Sequence, residues 1–261
     1  MVSLRKKTVL ITGASSGIGA ACAASFARAG AALVLLARRR ERLEMVQRRL
    51  ENNHGSDTII LVGDVGQRDQ ITKAFQALPK RWQAVDILIN CAGGALGEAP
   101  QWAARPEEID TMIDVNVKGL LTLTGLCLPG MIERGFGHVI NLGSIAGQET
   151  YPGGSVYSAT KFAVRALSRG LKMDLLGTPV RVTSIDPGMV ETEFSLVRLY
   201  GDQVRAQAVY KGMTPLQAED IADTVLFAAT RPPHVNISEM LVLSTDQAAA
   251  RMVHRQTVDS D

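Results

Sequence analysis

The sequence has few of the residues that build disulfide frameworks and metal sites. Its 261 residues include three cysteines and four histidines, and neither type shows the paired spacing of metal ligands. Three cysteines cannot all pair with one another, so we expect Cys22, Cys91 and Cys127 to be small, reduced core residues. These scarcities exclude a disulfide-dense secreted scaffold and give no reason to expect a metal site.

An excess of one charge and a long apolar run are also missing. The 28 basic and 26 acidic side chains leave a formal net charge of +2, which gives no case for a nucleic acid or an acidic membrane surface as partner. No segment approaches the roughly 18 consecutive apolar residues of a membrane span. The apolar run after Arg5, Lys6 and Lys7 stops at Thr12, too early for a secretory signal. We therefore expect a cytoplasmic protein that binds neither nucleic acid nor membrane.

The sequence does contain a regular alternation of short β-branched runs and helical stretches. Apolar residues make up 46% and charged residues 21% of the chain, which is ordinary for a globular protein. Seven runs are predicted to be strands, at residues 8–11, 33–36, 58–62, 85–90, 138–143, 180–185 and 240–243. Because no linker interrupts the alternation, we predict a single α/β domain over residues 1–261.

Two segments depart from this alternation. The polar stretch at about 189–215, after the sixth strand, shows little clean periodicity, and α/β folds place substrate lids at such positions. A C-terminal tail at 244–261 follows the seventh strand.

A long helical region after Pro106 carries Asn116, and the pair Pro129-Gly130 is expected to break it.

A glycine-rich turn follows the first strand and leads into an alanine-rich helix. A strand, a glycine turn and a helix form the context in which a glycine pattern is informative. Glycines there let backbone N–H groups and a helix N-terminus approach a pyrophosphate, although an ordinary tight turn is the alternative. The predicted cofactor-binding residues of this turn are Gly13, Ser15, Ser16, Gly17, Ile18 and Gly19.

The second strand ends at two arginines. NAD-binding folds carry an acidic residue for the ribose 2′-hydroxyl at about this distance from the glycine turn, but Arg38 and Arg39 stand here. Guanidinium groups suit the 2′-phosphate of NADP through charge and bidentate hydrogen bonds. The alternative is a basic, solvated helix start, which is less favourable because an unpartnered cation there opposes the helix dipole.

The ends of the next two strands carry further polar residues. Asp64 either accepts a hydrogen bond from an adenine amino group or caps the following helix. Asn90 ends the fourth strand and precedes Cys91-Ala92-Gly93-Gly94, a second small-residue turn that a ligand could approach.

Ser144, Tyr157 and Lys161 outline a proton-transfer site. Ser144 ends the apolar fifth strand, and Tyr157 and Lys161 are four residues apart, so they project from one face of a helix. A tyrosine has an ordinary pKa of about 10, which a nearby cation lowers, and Lys161 is placed to do so. A second positive charge would help, because one ion pair is too weak for a large change. Alone, the pair is a weak pattern.

Together these motifs resemble the classical short-chain dehydrogenase/reductase family from Thr8 to about Leu243. The resemblance implies a Rossmann-type doubly wound parallel sheet of seven strands with helices on both faces, and NADP(H) binding. It implies a catalytic tetrad of Asn116, Ser144, Tyr157 and Lys161. Further cofactor contacts implied by the family pattern are Asp64, Val65, Asn90, Ala92, Gly93, Tyr157, Lys161, Pro187, Gly188, Val190 and Thr192.

The resemblance also implies a role for each tetrad member. Tyr157 is the acid or base, Ser144 polarises the substrate carbonyl, and Lys161 holds the nicotinamide ribose and lowers the pKa of the tyrosine. Asn116 anchors a water that continues the proton path; without the family pattern it would be an exposed helix residue. The oxidised nicotinamide supplies the second positive charge. One departure is Cys91, where many members carry a second asparagine.

A closer resemblance is to the NADP-dependent 3-hydroxy acid dehydrogenases. It is carried by the segments 86–90, 94–97, 128–131, 192–198, 234–237 and 253–256. Members of that branch oxidise serine and allo-threonine or reduce malonic semialdehyde, and relatives reduce sulfoacetaldehyde. Alternatives are a 3-oxoacyl-thioester or general ketone reductase and a non-catalytic NADP-binding regulator. Many members end soon after the last strand in Asp-Gly-Gly, whereas this chain continues.

Small anionic substrates require a cation near the reacting carbon. Arg198, on the lid segment, is the predicted substrate-binding residue with Ser144 and Tyr157; a surface salt bridge to Glu193 or Glu191 is its alternative. Tail residues including Arg251 either reach a neighbouring subunit's site or belong to a frayed terminus. The family resemblance implies a homotetramer.

Overall fold

The computed structural model describes residues 2–256 and is built on one seven-stranded sheet. Its strands are β1 (Thr8–Thr12), β2 (Ala32–Ala37), β3 (Thr58–Val62), β4 (Ile87–Asn90), β5 (Gly137–Leu142), β6 (Val180–Pro187) and β7 (Glu239–Val242). All neighbouring pairs are parallel, in the order β3-β2-β1-β4-β5-β6-β7. The chain winds outward in both directions from β1 and β4, so a crevice opens at their carboxyl ends.

Helices cover both faces of the sheet. They are α1 (Gly17–Arg28), α2 (Arg40–His54), α3 (Arg68–Gln76), α4 (Lys80–Gln83), α5 (Pro106–Ile113), α6 (Leu120–Glu133), α7 (Ser155–Asp174), α8 (Glu193–Arg198), α9 (Gln203–Ala208) and α10 (Ala218–Ala229). Val9 and Ile11 pack with Phe26 under α1, α2 and α10, whereas the alternate residue Leu10 packs with Leu123 under α3, α6 and α7. The predicted doubly wound fold is therefore confirmed.

The central strands are rich in apolar residues because both of their faces are covered, and their buried polar residues include Asn90, His138 and Asn141. Each residue of β4 and β5 is buried, as expected for a parallel sheet between two helical layers. All seven predicted strands are present, and each boundary lies within two residues of its prediction. Cys22 and Cys127 are buried in the two cores and Cys91 is half-buried; all three are free, as predicted.

The expected helix break at Pro129 is wrong. Pro129 lies inside α6, which continues to Glu133. A proline removes one helical hydrogen bond, but Leu123, Cys127 and Met131 on the same helix are buried against the sheet. This packing stabilises α6 beyond the proline.

The helical run Pro106–Glu133 has the length and composition of a membrane-crossing helix. Its most apolar window has a mean hydropathy of 1.4. One face of it has a partner in this fold, because Leu123, Cys127 and Met131 pack with residues of β4 and β5. We therefore interpret it as a helix that packs on one face of the sheet.

The predicted lid contains two short helices, α8 and α9, above the carboxyl ends of the strands. The chain beyond β7 folds back onto this segment: Gln256 N donates to Gly212 O at 2.7 Å, and the buried Gln247 accepts from Met189 N at 2.8 Å. The frayed-terminus interpretation is therefore wrong for residues 244–256. Residues 257–261, also assigned to the tail, lie outside the described residues.

Candidate active site

A cavity of about 840 Å³ opens at the carboxyl ends of the central strands. Every predicted catalytic, cofactor-binding and substrate-binding residue lies in its wall except Asn90. Asn90 is buried below it and donates from Nδ2 to Asn141 Oδ1 at 2.9 Å and to Thr124 Oγ1 at 3.3 Å. Asn90 therefore connects β4 with β5 and α6 and does not reach the cavity.

At two positions of the glycine turn, Gly13 and Gly19, neighbouring backbone atoms leave no room for a side chain. Gly13 has a φ of +67°, and an added Cβ would lie 3.1 Å from the backbone of Ala92. A Cβ on Gly19 would lie 2.4 Å from Gly13 O. Thr12 Oγ1 accepts from Cys91 N at 2.9 Å and Ala92 N at 2.7 Å, which fixes the two small-residue turns beside each other.

The first turn of α1 fits a phosphate. It contains no acidic residue, and its N-cap residue Ser16 makes no side-chain capping bond within the described chain. The first N–H groups of a helix need an acceptor, and the helix dipole favours an anion there. The cavity therefore combines an uncapped helix start with glycines that admit a ligand closely, which is the arrangement a dinucleotide pyrophosphate requires.

Arg38 and Arg39 lie beside the glycine turn, as predicted for cations that read a phosphate. Arg39 Nη2 donates to Ser16 Oγ at 2.8 Å and to Ser15 Oγ at 3.2 Å. Arg38 Nη1 lies 3.8 Å from Asp64 Oδ2. The helix-capping interpretation of Asp64 is wrong, because Asp64 Oδ1 accepts from Gly66 N at 3.0 Å and forms a turn ahead of α3.

Tyr157 and Lys161 project from α7 into the cavity beside Ser144. Ser144 Oγ accepts from Ala146 N at 3.1 Å, which fixes the turn after β5. Lys161 Nζ donates to Leu142 O at 2.7 Å and lies 5.8 Å from the centroid of the Tyr157 ring. As predicted, the Ser144 hydroxyl, the Tyr157 phenol and the Lys161 ammonium therefore lie together in the cavity wall.

Burial disfavours the charged form of both ionisable groups. It raises the pKa of Tyr157 well above its ordinary value, while a hydrogen bond with Ser144 and the charge of Arg198 act in the opposite direction. Burial lowers the pKa of Lys161 to about 8. That Lys161 lowers the tyrosine pKa stays a prediction; its ammonium donates to the Leu142 carbonyl and lies 5.8 Å from the centroid of the Tyr157 ring.

Asn116 lies in a π-helical segment, Asp114–Gly119, between α5 and α6. The wider turn of a π segment shifts residues relative to an α-helix and is frequent at functional sites. Asn116 is buried; it donates to Gly94 O at 2.9 Å and Thr160 Oγ1 at 3.0 Å and accepts from Gly94 N at 2.9 Å. The interpretation as an exposed helix residue is wrong. Asn116 fixes the turn after β4 against α7.

Arg198 makes neither of the salt bridges considered for it. Its guanidinium donates to Gly97 O at 3.0 Å, Gly153 O at 2.9 Å and Tyr151 Oη at 2.8 Å. These bonds fasten the end of α8 to the loops that follow β4 and β5. Arg198 lies in the cavity wall, and three protein acceptors already occupy three of its five N–H donors.

Three wall residues carry no recognisable sequence pattern. Phe194 packs edge-on against Tyr157, with ring centroids 5.6 Å apart. The ring centroid of Tyr151 lies 5.4 Å from the guanidinium carbon of Arg198 and 5.7 Å from that of Arg251. The contact between Tyr151 and Arg251 joins residues that are 100 positions apart, so the sequence does not show that they meet.

Cys91 replaces the second asparagine of the family motif without exposing a reactive group. Burial raises the pKa of its thiol to about 12, so the sulfur stays protonated near neutral pH. Within residues 2–256, no three His, Cys, Asp or Glu side chains are grouped as metal ligands.

Comparison with known proteins decides the family. A family model described as short chain dehydrogenase matches residues 7–198. The chain belongs to the short-chain dehydrogenase family. The sulfoacetaldehyde reductase of Chromohalobacter salexigens is 49% identical over 243 residues, covering 92% of this chain and 94% of the relative. The NADP-dependent 3-hydroxy acid dehydrogenase YdfG of Escherichia coli K12 is 44% identical over 250 residues, covering 95% and 99%.

Solved structures of the family agree. The closed form of serine dehydrogenase complexed with NADP⁺ superposes with a TM-score of 0.88 at 43% identity, covering 95% of this chain and 100% of that chain. The predicted resemblance to the 3-hydroxy acid dehydrogenase and sulfoacetaldehyde reductase branch of short-chain dehydrogenases is thereby confirmed.

Proposed function

We propose that the chain interconverts a small 3-hydroxy acid, or its sulfonate analogue, with the corresponding aldehyde or ketone, using NADP(H). The oxidoreductase class follows from the family, and NADP(H) follows from relatives named for it. One observation carries the proposal. A buried phenol, Tyr157, lies beside Ser144 in the same cavity as an uncapped helix start and two arginines.

The cofactor would be held along the wall that runs from the glycine turn to Lys161. Backbone N–H groups of the turn and of α1 would take the pyrophosphate, and Arg38 and Arg39 would take the 2′-phosphate. When bound, the nicotinamide supplies or accepts a hydride.

Tyr157 is proposed to exchange a proton with the substrate oxygen. During reduction the phenol donates to the carbonyl oxygen, and its raised pKa ensures that the proton is present near neutral pH. Ser144 Oγ would donate a second hydrogen bond to the same oxygen and polarise the carbonyl. During oxidation the direction reverses, and the positive charges of Lys161 and Arg198 favour the phenolate.

The substrate anion is proposed to bind at Arg251. Arg198 is the other cation beside Tyr151, but three of its five N–H donors already bind protein acceptors that hold its orientation. Among residues 2–256, no acceptor hydrogen-bonds to the guanidinium of Arg251, which lies in the cavity wall. An available guanidinium there suits a carboxylate or a sulfonate, which bind through charge-assisted bonds.

The alternatives have less support. A non-catalytic NADP-binding regulator needs no Asn116, Ser144, Tyr157 and Lys161 in one wall. A thioester or bulky ketone reductase has no use for a cation beside the reacting groups. We further propose a cytoplasmic homotetramer with a small-molecule substrate, no nucleic acid and no membrane.

The test is a panel of kcat/KM values. NADPH is offered with malonic semialdehyde, sulfoacetaldehyde or an acetoacetyl thioester, and serine oxidation is measured with NADP⁺. We expect an anionic small aldehyde to exceed the thioester by at least about tenfold, since charge-assisted bonds contribute about 1.5–3 kcal/mol. A preference for the thioester would refute the proposed substrate class.

A further inference from the structure

Glu193, the first residue of α8, forms salt bridges with two arginines beside the glycine turn. Its Oε2 lies 3.0 Å from Arg39 Nη1, and its Oε1 lies 2.5 Å from Arg42 Nη1. These bonds keep the carboxylate ionised, since hydrogen bonds from Arg42 and Arg39 lower its pKa against the opposing effect of burial. Glu193 is 154 positions from Arg39 in the chain, so this contact joins the lid to the cofactor side of the cavity.

The same contact places the start of the lid on the glycine turn. Arg39 donates to Ser15 and Ser16 of that turn as well as to Glu193. A Cβ added to Gly17 would lie 3.4 Å from the Thr192 side chain, the N-cap of α8. Cofactor turn, arginine and lid helix therefore form one connected group.

The opposite end of α8 reaches the substrate side. Arg198, its last residue, binds the Gly97 and Gly153 carbonyls and the Tyr151 hydroxyl. One six-residue helix thus connects the arginines near the proposed 2′-phosphate position with the loops around the proposed substrate position.

A 2′-phosphate and Glu193 compete for the same cations. A phosphate monoester carries a charge of roughly −1.5 to −2 near neutral pH. Placed against Arg39, it would repel the Glu193 carboxylate and require donors that this carboxylate now occupies. NAD(H) has a hydroxyl at that position and would leave the pair intact.

We propose that Glu193 competes with the 2′-phosphate of the cofactor for Arg39. NADP(H) displaces Glu193 from Arg39 and so releases α8 from the glycine turn, whereas NAD(H) does not. The inference rests on the proposed use of NADP(H). It assigns Glu193 a role in cofactor discrimination and in coupling the cofactor to the lid, acting through Arg39.

Equilibrium binding to the cofactor-free protein tests the competition. Dissociation constants are measured by calorimetry for NADP⁺, NAD⁺, 2′,5′-ADP and 5′-AMP with wild type, Glu193→Gln and Glu191→Gln. Glu191 is the matched control: it lies two residues away and accepts one hydrogen bond, from Gln217 at 3.4 Å. We expect Glu193→Gln to bind NADP⁺ and 2′,5′-ADP about three- to tenfold more tightly, with NAD⁺ and 5′-AMP within about twofold of wild type.

The outcomes separate this inference from the proposed function. Weaker binding of 2′,5′-ADP by Glu193→Gln would show that Glu193 organises Arg39 for the phosphate, and it would overturn the competition. If Glu191→Gln changes the dissociation constants as much as Glu193→Gln does, the effect comes from net charge alone, and this would also overturn the competition. A wild type that does not prefer NADP⁺ to NAD⁺ would refute the proposed cofactor as well.

Hydrogen exchange tests the release of α8. Amides of residues 193–198 should exchange faster in wild type saturated with 2′,5′-ADP than with 5′-AMP, and this difference should vanish in Glu193→Gln and return in Glu193→Asp. Slower exchange in the 2′,5′-ADP complex would overturn the proposal.

Discussion

Tyr157 and Lys161 lie one helical turn apart on α7, and burial favours the neutral form of each. In a water-poor site the charged form of either group loses solvation. The chain alone therefore keeps the phenol protonated, which suits an acid that donates to a carbonyl. Generating the phenolate for oxidation requires positive charge beyond that of Lys161. Perturbed groups of this kind in a cavity are typical of catalytic sites.

At this scale we predict the effect of Tyr157→Phe. The variant keeps the ring that packs against Phe194 but loses the acidic proton, so kcat should fall about 10³-fold, within the range for lost general acid–base catalysis. The Kd of NADP⁺, measured by fluorescence titration, should stay within about threefold of wild type. Near-normal turnover would remove Tyr157 from the proton-transfer role.

Lys161→Met should stabilise the protein without cofactor while abolishing its activity. The lysine has a pKa of about 8 in the fold, against an ordinary 10.5, so its ammonium is held at a cost of about 3 kcal/mol. Methionine removes that cost but loses the charge-assisted bond to Leu142 O, which is worth about 1.5–3 kcal/mol. We therefore expect the free energy of unfolding near neutral pH to rise by about 1 kcal/mol.

The pH dependence gives the control for this variant. Below the folded pKa of about 8 the lysine is protonated in both states, so the cost is complete. Between about 8 and 10.5 only the unfolded state holds the proton, and the stability of the wild type rises with pH. The advantage of Lys161→Met in denaturant melts should shrink across this window. A variant less stable than wild type at neutral pH would contradict the argument.

At the scale of elements, the strands were predictable because local pattern and tertiary environment agree. β4 and β5 are mostly apolar, with Asn90, His138 and Asn141 as their buried polar residues, and the runs Ile87–Ile89 and Val139–Ile140 gave the strand pattern. The π segment at Asp114–Gly119 was not predictable, since no residue type marks its position. Pro129 misled for the opposite reason: a strong local signal is outweighed by the burial of its helix neighbours.

The candidate site also has parts that the sequence predicts and parts that it does not. The glycine turn and the Tyr157–Lys161 pair could be predicted because their geometry follows from spacing within one turn or one helix. The partners of Arg198 could not, because Gly97, Tyr151 and Gly153 lie on loops whose positions are set by the sheet. For the same reason the Glu193–Arg39 salt bridge gave no signal in the sequence.

The two arginines beside Tyr151 should differ in their effects on catalysis. Arg198→Lys keeps the charge, but its compact ammonium cannot reach the three acceptors that the planar guanidinium spans, so kcat/KM should fall about tenfold or more for sulfoacetaldehyde and for the neutral aldehyde propanal alike. Arg251→Ala should raise KM for sulfoacetaldehyde about tenfold to hundredfold and leave propanal unchanged. Steady-state kinetics with both aldehydes distinguishes the two patterns.

Arg231→Ala is the control for a lost surface cation. Arg231 packs over Phe227 on α10, outside the cavity wall. Its removal should alter neither substrate. If Arg251→Ala affects both aldehydes equally, Arg251 does not read the anion.

At the scale of the whole molecule, the cavity follows from the winding of the sheet. The chain leaves β1 in one direction and β4 in the other, so no crossover covers their carboxyl ends. The turns after these two strands form the floor, where Thr12 fixes them together. The predicted lid segment and the tail as far as Gln256 are joined at Gly212, and both contribute residues to the cavity wall.

The outer surfaces of α6 and α7 carry apolar side chains that nothing within residues 2–256 covers. Leu121 and Ile132 share one face of α6, since they are 11 residues apart, and Phe162 and Met173 have the same spacing on α7. Each is at least 41% exposed. Exposed apolar patches of this kind mark interaction sites, and we propose that they form an interface of the homotetramer.

Phe162→Glu should break that interface, because it places a charge where an apolar side chain would be buried between subunits. Sedimentation velocity should give four chain masses for wild type and a smaller species for the variant. Met45→Glu is the control. Met45 on α2 is 56% exposed but lies on the other face of the sheet, so the Met45→Glu variant should remain tetrameric.

Because Phe162 follows Lys161 directly, dissociation of the tetramer should also lower kcat by loosening α7. A wild type that sediments as a monomer would refute the tetramer, and an unaffected Phe162→Glu would place the interface elsewhere.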